Sequence, residues 1–299
     1  MRHQPLIDVC ICTFRREHVL ETLASLLLQD PGHPRFRILV ADNDDHPLMR
    51  ARIIRTSGSG IEIVYLHAPS RNISIARNAC LAKAKADYIA FLDDDQIASP
   101  GWLTELHLTA LKAGADIVLG PVHAICTPES PAWARTGKFH STFPVIRENG
   151  IATGYTGNVL IKRSVIGANR FDLELGRNGG EDTLFFYRLQ KEGAVIVYAP
   201  DAHMRELIPT SRANLKWLMR RAYRSGQTHG RLLAIEKQNA TKILLISTAK
   251  LAACFALSGA KCLSATGWRH AFLRGMLHAG VISTLIGGEE IETYGNMAT

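Results

Sequence analysis

YIAFLDDDQ, residues 88–96, is an apolar run that ends abruptly in three carboxylates. A strand with so little polar surface along its length has to be covered on both faces. Its neighbours in the chain repeat the pattern. Upstream lie LIDVCICTF (6–14), FRILVAD (36–42) and IEIVYL (61–66), and downstream lies ADIVLG (115–120). Between these strands the hydrophobic spacing predicts helices around REHVLETLASLLLQ (16–29), PLMRARIIRTS (47–57), ISIARNACLAKAKA (73–86) and GWLTELHLTALKAG (101–114). Apolar strands alternating with helices specify an α/β fold, a mostly parallel sheet with helices on both faces. Ligands of such sheets bind beyond the carboxyl ends of the strands.

From Pro121 to about Gly150 the pattern turns irregular, with Pro128, Pro131 and Pro144, as in an excursion that covers a substrate. Regular signals return with GNVLIKRSVI (157–166), a helix over GEDTLFFYRLQKEG (180–193) and a strand over AVIVYAP (194–200). After Pro209 everything reads as helix to about Ile286, and there is no internal repeat, low-complexity segment or long linker.

The chain of 299 residues is 46% hydrophobic and 21% charged, which excludes disorder, collagen and a disulfide scaffold. Six scattered cysteines (Cys10, Cys12, Cys80, Cys126, Cys254 and Cys262) show no Cys-x-x-Cys pair and read as reduced cytosolic thiols. MRHQPLIDVCICTF (1–14) lacks the apolar core and cleavage site of a signal peptide, so the protein is expected to stay on the side where it is made.

The net charge of +8 is unevenly spread. Between Leu207 and Gly288 twelve Lys and Arg face a single acid, Glu236. A basic helical tail behind a near-neutral body suits an anionic surface. Nucleic acid is not expected, because no helix-turn-helix, zinc or RNA-recognition signature accompanies the charge. The tail is also apolar: ILLISTA (243–249), LAACFALSGA (251–260) and GMLHAGVISTLIGG (275–288) are interrupted by Lys250, Lys261 and Arg274. No uncharged run reaches the ~18 residues of a spanning helix. Helices lying in a membrane interface are expected, the alternative being a helical subdomain packed on the body.

The acidic run carries the sharpest chemical signal. Side chains alternate along an extended chain, so Asp93 and Asp95 share one face and Asp94 takes the other. Carboxylates crowded at the end of a buried strand repel one another, and a divalent cation, Mg²⁺ or Mn²⁺, resolves this. A solvated turn capping helix 101–114 is the alternative. In ADNDD (41–45), Asp42 stands where an acid can bond a ribose or base, or close an Asx turn. CTFRRE (12–17) supplies a hydroxyl, an aromatic and two guanidiniums for base and phosphate, unless Phe14 is core. No glycine fingerprint of dinucleotide or P-loop enzymes occurs. In NGGEDTLFF (178–186), Glu181 and Asp182 open a helix whose dipole holds them ionised. One of them is a candidate general base, or both simply cap the helix.

CTFRR, AD (41–42), ARN (76–78), DYIAFLDDD, TGN (156–158) and GGED, in this order, resemble the family 2 glycosyltransferases of the GT-A fold over roughly residues 6–226. With GGEDTLFFYRLQKEGA and the basic WLMRRAYRSG helix, the chain is most similar to bacterial exopolysaccharide glucosyltransferases of the succinoglycan type. The resemblance implies roles. Thr13, Phe14 and Asp42 would hold the uracil and ribose of a UDP-sugar, and Arg77 would also touch the nucleotide. Asp93 would approach the ribose or sugar, and Asp95, with Asp93 beside it, would ligate the metal bridging the diphosphate. Asp182 would deprotonate the acceptor hydroxyl for one displacement with inversion, with Glu181 orienting the acceptor. Trp217, Arg220, Arg221 and Arg224 would lie near diphosphate and acceptor.

The chain also departs from the pattern. Arg15 replaces the usual Asn, which moves its contact to phosphate. Asp94 fills a slot that is often uncharged, a second candidate beside the metal. His203 follows strand 194–200, where some members keep a metal-ligating His, although Glu206 is nearer the usual offset. The expected organisation is a catalytic domain at 1–206 and an acceptor- or membrane-associated region at 207–299. The expected reaction moves glucose from a UDP-sugar to a polyprenyl-diphosphate-linked glycan at the cytoplasmic face of the inner membrane. Two other readings stand beside it: a phosphatase using an Asp nucleophile in FLDDDQ, and a non-catalytic glycan-binding scaffold at the membrane.

Overall fold

The computed structural model describes residues 6–56, 60–148 and 150–292. The polar start at 1–5, the last residue of the second expected helix with the two after it (57–59), position 149 of the irregular stretch and the tail beyond 292 lie outside the described residues. Along the chain, β1 (Ile7–Thr13), α1 (Val19–Leu26), β2 (Phe36–Asp42), α2 (Arg50–Arg55), β3 (Ile63–His67), α3 (Ile73–Lys83) and β4 (Tyr88–Asp93) come first. Then follow β5 (Gln96–Ala98), α4 (Trp102–Ala113), β6 (Ile117–Leu119), β7 (Val122–Cys126), α5 (Ala132–Thr136), β8 (Ile146–Arg147) and β9 (Gly150–Ile151). The chain continues with β10 (Asn158–Lys162), α6 (Arg163–Ile166), α7 (Glu181–Lys191), β11 (Ile196–Tyr198) and β12 (Met204–Ile208). Three helices close it, α8 (Leu215–Ile235), α9 (Ala240–Ala260) and α10 (Gly267–Leu285).

Seven strands form the central sheet in the order β11-β6-β10-β4-β1-β2-β3. The alternation of side chains explains why these strands are apolar throughout. Ile7, Val9 and Ile11 of β1 point to the layer of α1 and α4, with Leu23, Leu26, Trp102 and Leu106. Cys10, with Leu39, Phe91 and Val159 of other strands, points to the layer of α3 and α7, with Ala76, Cys80, Phe185 and Phe186. Each aliphatic side chain so buried contributes roughly 1.5–3 kcal/mol.

The sheet is parallel except at β10, which runs antiparallel to both β4 and β6. A second sheet, β5-β12-β7, was not expected from the sequence. It draws β7 out of the stretch read as irregular and β12 out of the junction before the helical tail.

In the tail, α10 packs against α8 at very short range. A Cβ on Gly226 would stand 1.9 Å from the Leu277 carbonyl oxygen, and one on Gly280 would stand 1.9 Å from that of Tyr223. Helix α9 is different. It runs 21 residues, and its most apolar 18 have a mean hydropathy of 1.8 with only 11% of them buried. The uncharged runs of the tail stay short of spanning length, as expected, but the helix that contains them does not. Lys242 and Lys250 break the uncharged run but not the helix, so by length and composition α9 suffices to cross a membrane.

Candidate active site

The carboxyl ends of β1, β2 and β4 stand side by side, with Thr13 opposite Asp42 and Cys12 opposite Asp93. A cavity of about 430 Å³ opens there. It is lined by Phe14, Arg16 and Arg77, by residues 93–96, by Glu181 and Asp182 of α7, and by Glu206, Arg212, Trp217, Arg221 and Arg224.

The three carboxylates do not divide by strand alternation, because β4 ends at Asp93 and residues 94 and 95 form a turn, which brings all three to one cavity. The Asp93 and Asp95 side chains stay 47% and 17% exposed, while Asp94 is buried. Thr13 Oγ1 donates to Asp94 at 2.7 Å, and Arg16 Nη1 bridges Asp94 at 2.9 Å and Asp95 at 2.8 Å. Arg212 Nη1 lies 3.6 Å from Asp95 and 3.7 Å from Glu206. Desolvation by the cavity walls, reinforced by Asp95 and Asp94 and opposed by Arg77, pushes the Asp93 carboxyl up to about 6. Burial with Asp95 and Asp93 pushes Glu206 up to about 7, and burial raises Asp94 against the pull of Arg16. Crowded acids raised in this way are stabilised by added positive charge.

This donor set is compatible with a divalent cation. Among the described residues no group of three His, Cys, Asp or Glu side chains forms a ready cage. A hard cation such as Mg²⁺ needs only one or two carboxylates when phosphate oxygens complete its shell, and Asp93 and Asp95 supply two that open into the cavity. His203 does not face this site. Its Nδ1 lies 3.1 Å from His123 Nε2, outside the cavity lining, whereas Glu206 in β12 points in.

The opposite wall is built by two motifs locked together. Asn72 caps α3, its side chain accepting from the Ser74 N–H at 3.0 Å. Within α3, Asn78 bonds both the carbonyl and the N–H of Phe171, at 2.8 and 2.9 Å, fixing the loop that leads to α7. Arg77 is buried, ion-paired with Glu181, 3.7 Å from Asp93, and set over the Phe171 ring. Gly179 and Gly180 then turn the chain with φ of +85° and +92°, so that Glu181 and Asp182 open α7 at its positive end. Burial raises Glu181 despite Arg77, and Glu181 Oε2 is buried without a hydrogen-bond partner. Asp182 Oδ1 accepts from the Thr183 N–H at 2.7 Å.

Helix α8 contributes the last wall. Arg221 stacks its guanidinium 5.5 Å over the Trp217 ring, and burial lowers both Arg221 and Arg224, a setting that favours an anion between them.

Of the residues singled out from the sequence, Phe14, Arg77, Asp93, Asp94, Asp95, Glu181, Asp182, Trp217, Arg221 and Arg224 line this one cavity. Thr13 and Asp42 sit just behind it. Thr13 is held by Asp94, and Asp42 accepts from the Tyr65 hydroxyl at 2.6 Å. Two more residues fall outside the lining. Arg15, at φ +55°, pairs with Asp44 at 3.0 Å and lies over the Phe14 ring. Arg220 is exposed on the outer side of α8. Sequence reasoning passed over Arg212, Thr142 and Tyr155, which come from loops without a motif of their own, and gave no role to Gln96 at the end of FLDDDQ.

The Glycosyl transferase family 2 model matches residues 8–168. The succinoglycan biosynthesis protein ExoM of Rhizobium meliloti (strain 1021) is 46% identical over 297 residues, spanning 97% of this chain and 96% of that one. A mannosyltransferase from Pyrobaculum calidifontis, solved with GDP-Man and Mn²⁺, superposes with a TM-score of 0.64 at 17% identity, over 96% of this chain and 89% of that one. S. aureus TarS 1-349, solved with UDP, gives a TM-score of 0.54 at 15% identity over 98% of both chains. At such identities the two structures establish the fold, that of GT-A glycosyltransferases.

Proposed function

The chain belongs to glycosyl transferase family 2, and from that premise we propose that it moves a sugar, glucose in our reading, from a UDP-sugar to a hydroxyl of a polyprenyl-diphosphate-linked oligosaccharide. The work is done at the cytoplasmic face of the membrane, in building an exopolysaccharide of the succinoglycan type. The similarity to the ExoM protein supports the pathway. The UDP held by TarS supports the nucleotide. The phosphatase alternative falls with the family assignment. A scaffold that has kept the fold is the remaining alternative, and the acids at 93, 95 and 182 in the cavity argue against it.

One observation carries the proposal. The acidic end of β4, the acidic start of α7 and the cationic face of α8 line a single cavity at the carboxyl edge of the sheet. In our reading Phe14 and Asp42 hold the uridine, and Arg77 stands between the nucleotide side and the acceptor side. Asp95 and Asp93 would hold Mg²⁺ or Mn²⁺, which when bound supplies counter-charge to the diphosphate. Arg221 and Arg224 add positive charge toward the same phosphates. Asp182 takes the proton from the acceptor hydroxyl, whose oxygen bonds to the sugar C1 as the bond from C1 to the diphosphate oxygen breaks. The electron pair leaves with UDP, and attack from the opposite side inverts C1. Glu181, paired with Arg77, keeps α7 and its Asp182 in register with the donor.

Calorimetric titration of UDP into the purified protein tests this, with Mn²⁺, with EDTA, and on Asp95→Ala. Binding that needs both the cation and Asp95 is the expected result. Binding indifferent to EDTA removes the cation from the proposal. No binding under any condition overturns the UDP-sugar reading and leaves the scaffold.

A further inference from the structure

A second cavity, about 480 Å³, lies between α9 and α10, away from the carboxyl edge of the sheet. Lys250, Lys261 and Arg274 line it together with His270 and His278. No acid joins them, and from Ala240 to Gly288 the sequence contains neither Asp nor Glu. Among the described residues Lys250, Lys261 and Arg274 have no ion-pair partner, although ion pairs form elsewhere in the same tail, as between Arg231 and Glu290. Between these cations the groove presents Ala253, Leu257 and Ala271.

The outer side of α9 continues this character. Leu245 and Ile246 are 67% and 43% exposed, and the alanines at 249, 252 and 256 lie exposed beside them. Three bare cations around an apolar groove, bordered by an uncovered apolar strip, match one kind of ligand. It has a phosphate at one end and hydrocarbon at the other.

We propose that the α9–α10 groove binds the phosphate headgroup of an anionic membrane lipid, with α9 lying in the interface and its outer strip against the acyl chains. The inference rests on the reading that this enzyme works on a lipid-linked acceptor at a membrane. It goes beyond that reading in assigning the surface and the ligand chemistry. Lys250 sits midway along α9, so a spanning orientation would carry it to the bilayer centre. A helix lying flat leaves it among the headgroups, where Lys and Arg stems reach polar surface. Burial, and then the cations at Lys250 and Arg274, hold the His278 imidazole below its ordinary value. The groove is also tied to the catalytic side. His270 stacks on Phe139 with ring centroids 4.1 Å apart and bonds the Gly137 carbonyl at 3.0 Å, in the segment that brings Thr142 to the catalytic cavity.

Sedimentation of the full-length protein with vesicles tests the proposal. Wild type is compared with a K250Q/K261Q/R274Q variant on phosphatidylglycerol-containing vesicles, on pure phosphatidylcholine, and with inorganic phosphate as competitor. Expected are binding to the anionic vesicles alone, a roughly hundredfold loss of affinity in the variant, and no displacement by phosphate. The variant should titrate UDP like wild type, which shows it folded. Equal sedimentation of variant and wild type overturns the groove, and so does equal binding to both kinds of vesicle. Displacement by inorganic phosphate makes the ligand a free anion and overturns the lipid. Failure of wild type to bind UDP strikes the sugar-transfer reading instead, whatever the vesicles show.

Discussion

Buried charge at the site is paired almost everywhere, and His140 shows what happens where pairing stops. It is 1% exposed, lies with its ring 5.0 Å from that of Trp217, and neither ring nitrogen has a hydrogen-bond partner. Burial, with the guanidiniums of Arg221 and Arg212, pulls its imidazole down to about 4. The folded state therefore keeps His140 neutral where the unfolded chain, near 6.5, takes up a proton. Stability is full above the unfolded value and falls with pH between about 6.5 and about 4, by at most about 3 kcal/mol. Urea unfolding across that range should show wild type losing ground to His140→Leu, while Asp93 and Glu206 titrate in both proteins and cancel. Parallel pH profiles would mean that His140 meets a proton donor or acceptor in solution. Nothing in the sequence singled out this residue, because its environment is made by α8, some 75 positions downstream. Arg212 escaped notice for the same reason: only the fold brings it to Asp95 and Glu206. Asp93 and Asp95 were legible because they stand at and just beyond the end of apolar β4, and Asp182 because it lies in the first turn of α7.

At the scale of elements, the turn into α7 is where backbone and chemistry meet. Gly180 has φ of +92°, and a Cβ there would stand 2.4 Å from Thr228 Cγ2 of α8. Gly180→Ala adds left-handed strain and a clash at once, at a cost of about 1–3 kcal/mol. Because Glu181 and Asp182 follow immediately, relaxing that strain moves them, so sugar transfer should fall further than UDP binding. Side-by-side urea unfolding, UDP titration and transfer assays check this; a variant with full activity would show that the turn is only a connector. The strands of the body were legible because a strand buried on both faces has no polar side to disguise it, and FRILVAD and YIAFLD match β2 and β4 end to end. The direction of β10 was not, since apolar pattern carries no polarity of direction. Strand β12, MRELI, was hidden because Arg205 and Glu206 break the apolar run, although Met204 and Ile208 are buried at its ends.

The whole molecule separates its charges, and the three tail helices divide the labour. Helix α10 is the mediator: α8 packs on one part of it and α9 on another, so α9 can stay uncovered while α8 is held against the catalytic cavity. Removing residues 240–299 therefore does more than detach a membrane contact. It strips the close-packed face of α8 at Gly226 and Gly230, where the nearest atoms belong to α10. It also removes the chain beyond α10, where the Glu289 carbonyl accepts from Gln227 at 2.8 Å and Glu290 accepts from Asn178 at 2.7 Å and from Arg231. Those three bonds alone are worth roughly 1 kcal/mol each, and Asn178 directly precedes the glycine turn into α7. The truncated chain should unfold at lower urea and lose sugar transfer as well as membrane sedimentation, because Arg221 and Arg224 lose the helix that backs them. The K250Q/K261Q/R274Q variant should lose sedimentation while keeping its unfolding midpoint and UDP binding. Docking and packing predict opposite results for these two proteins, so measuring both separates them. A truncation that keeps its stability would mean that the body folds alone and that α10 only carries α9.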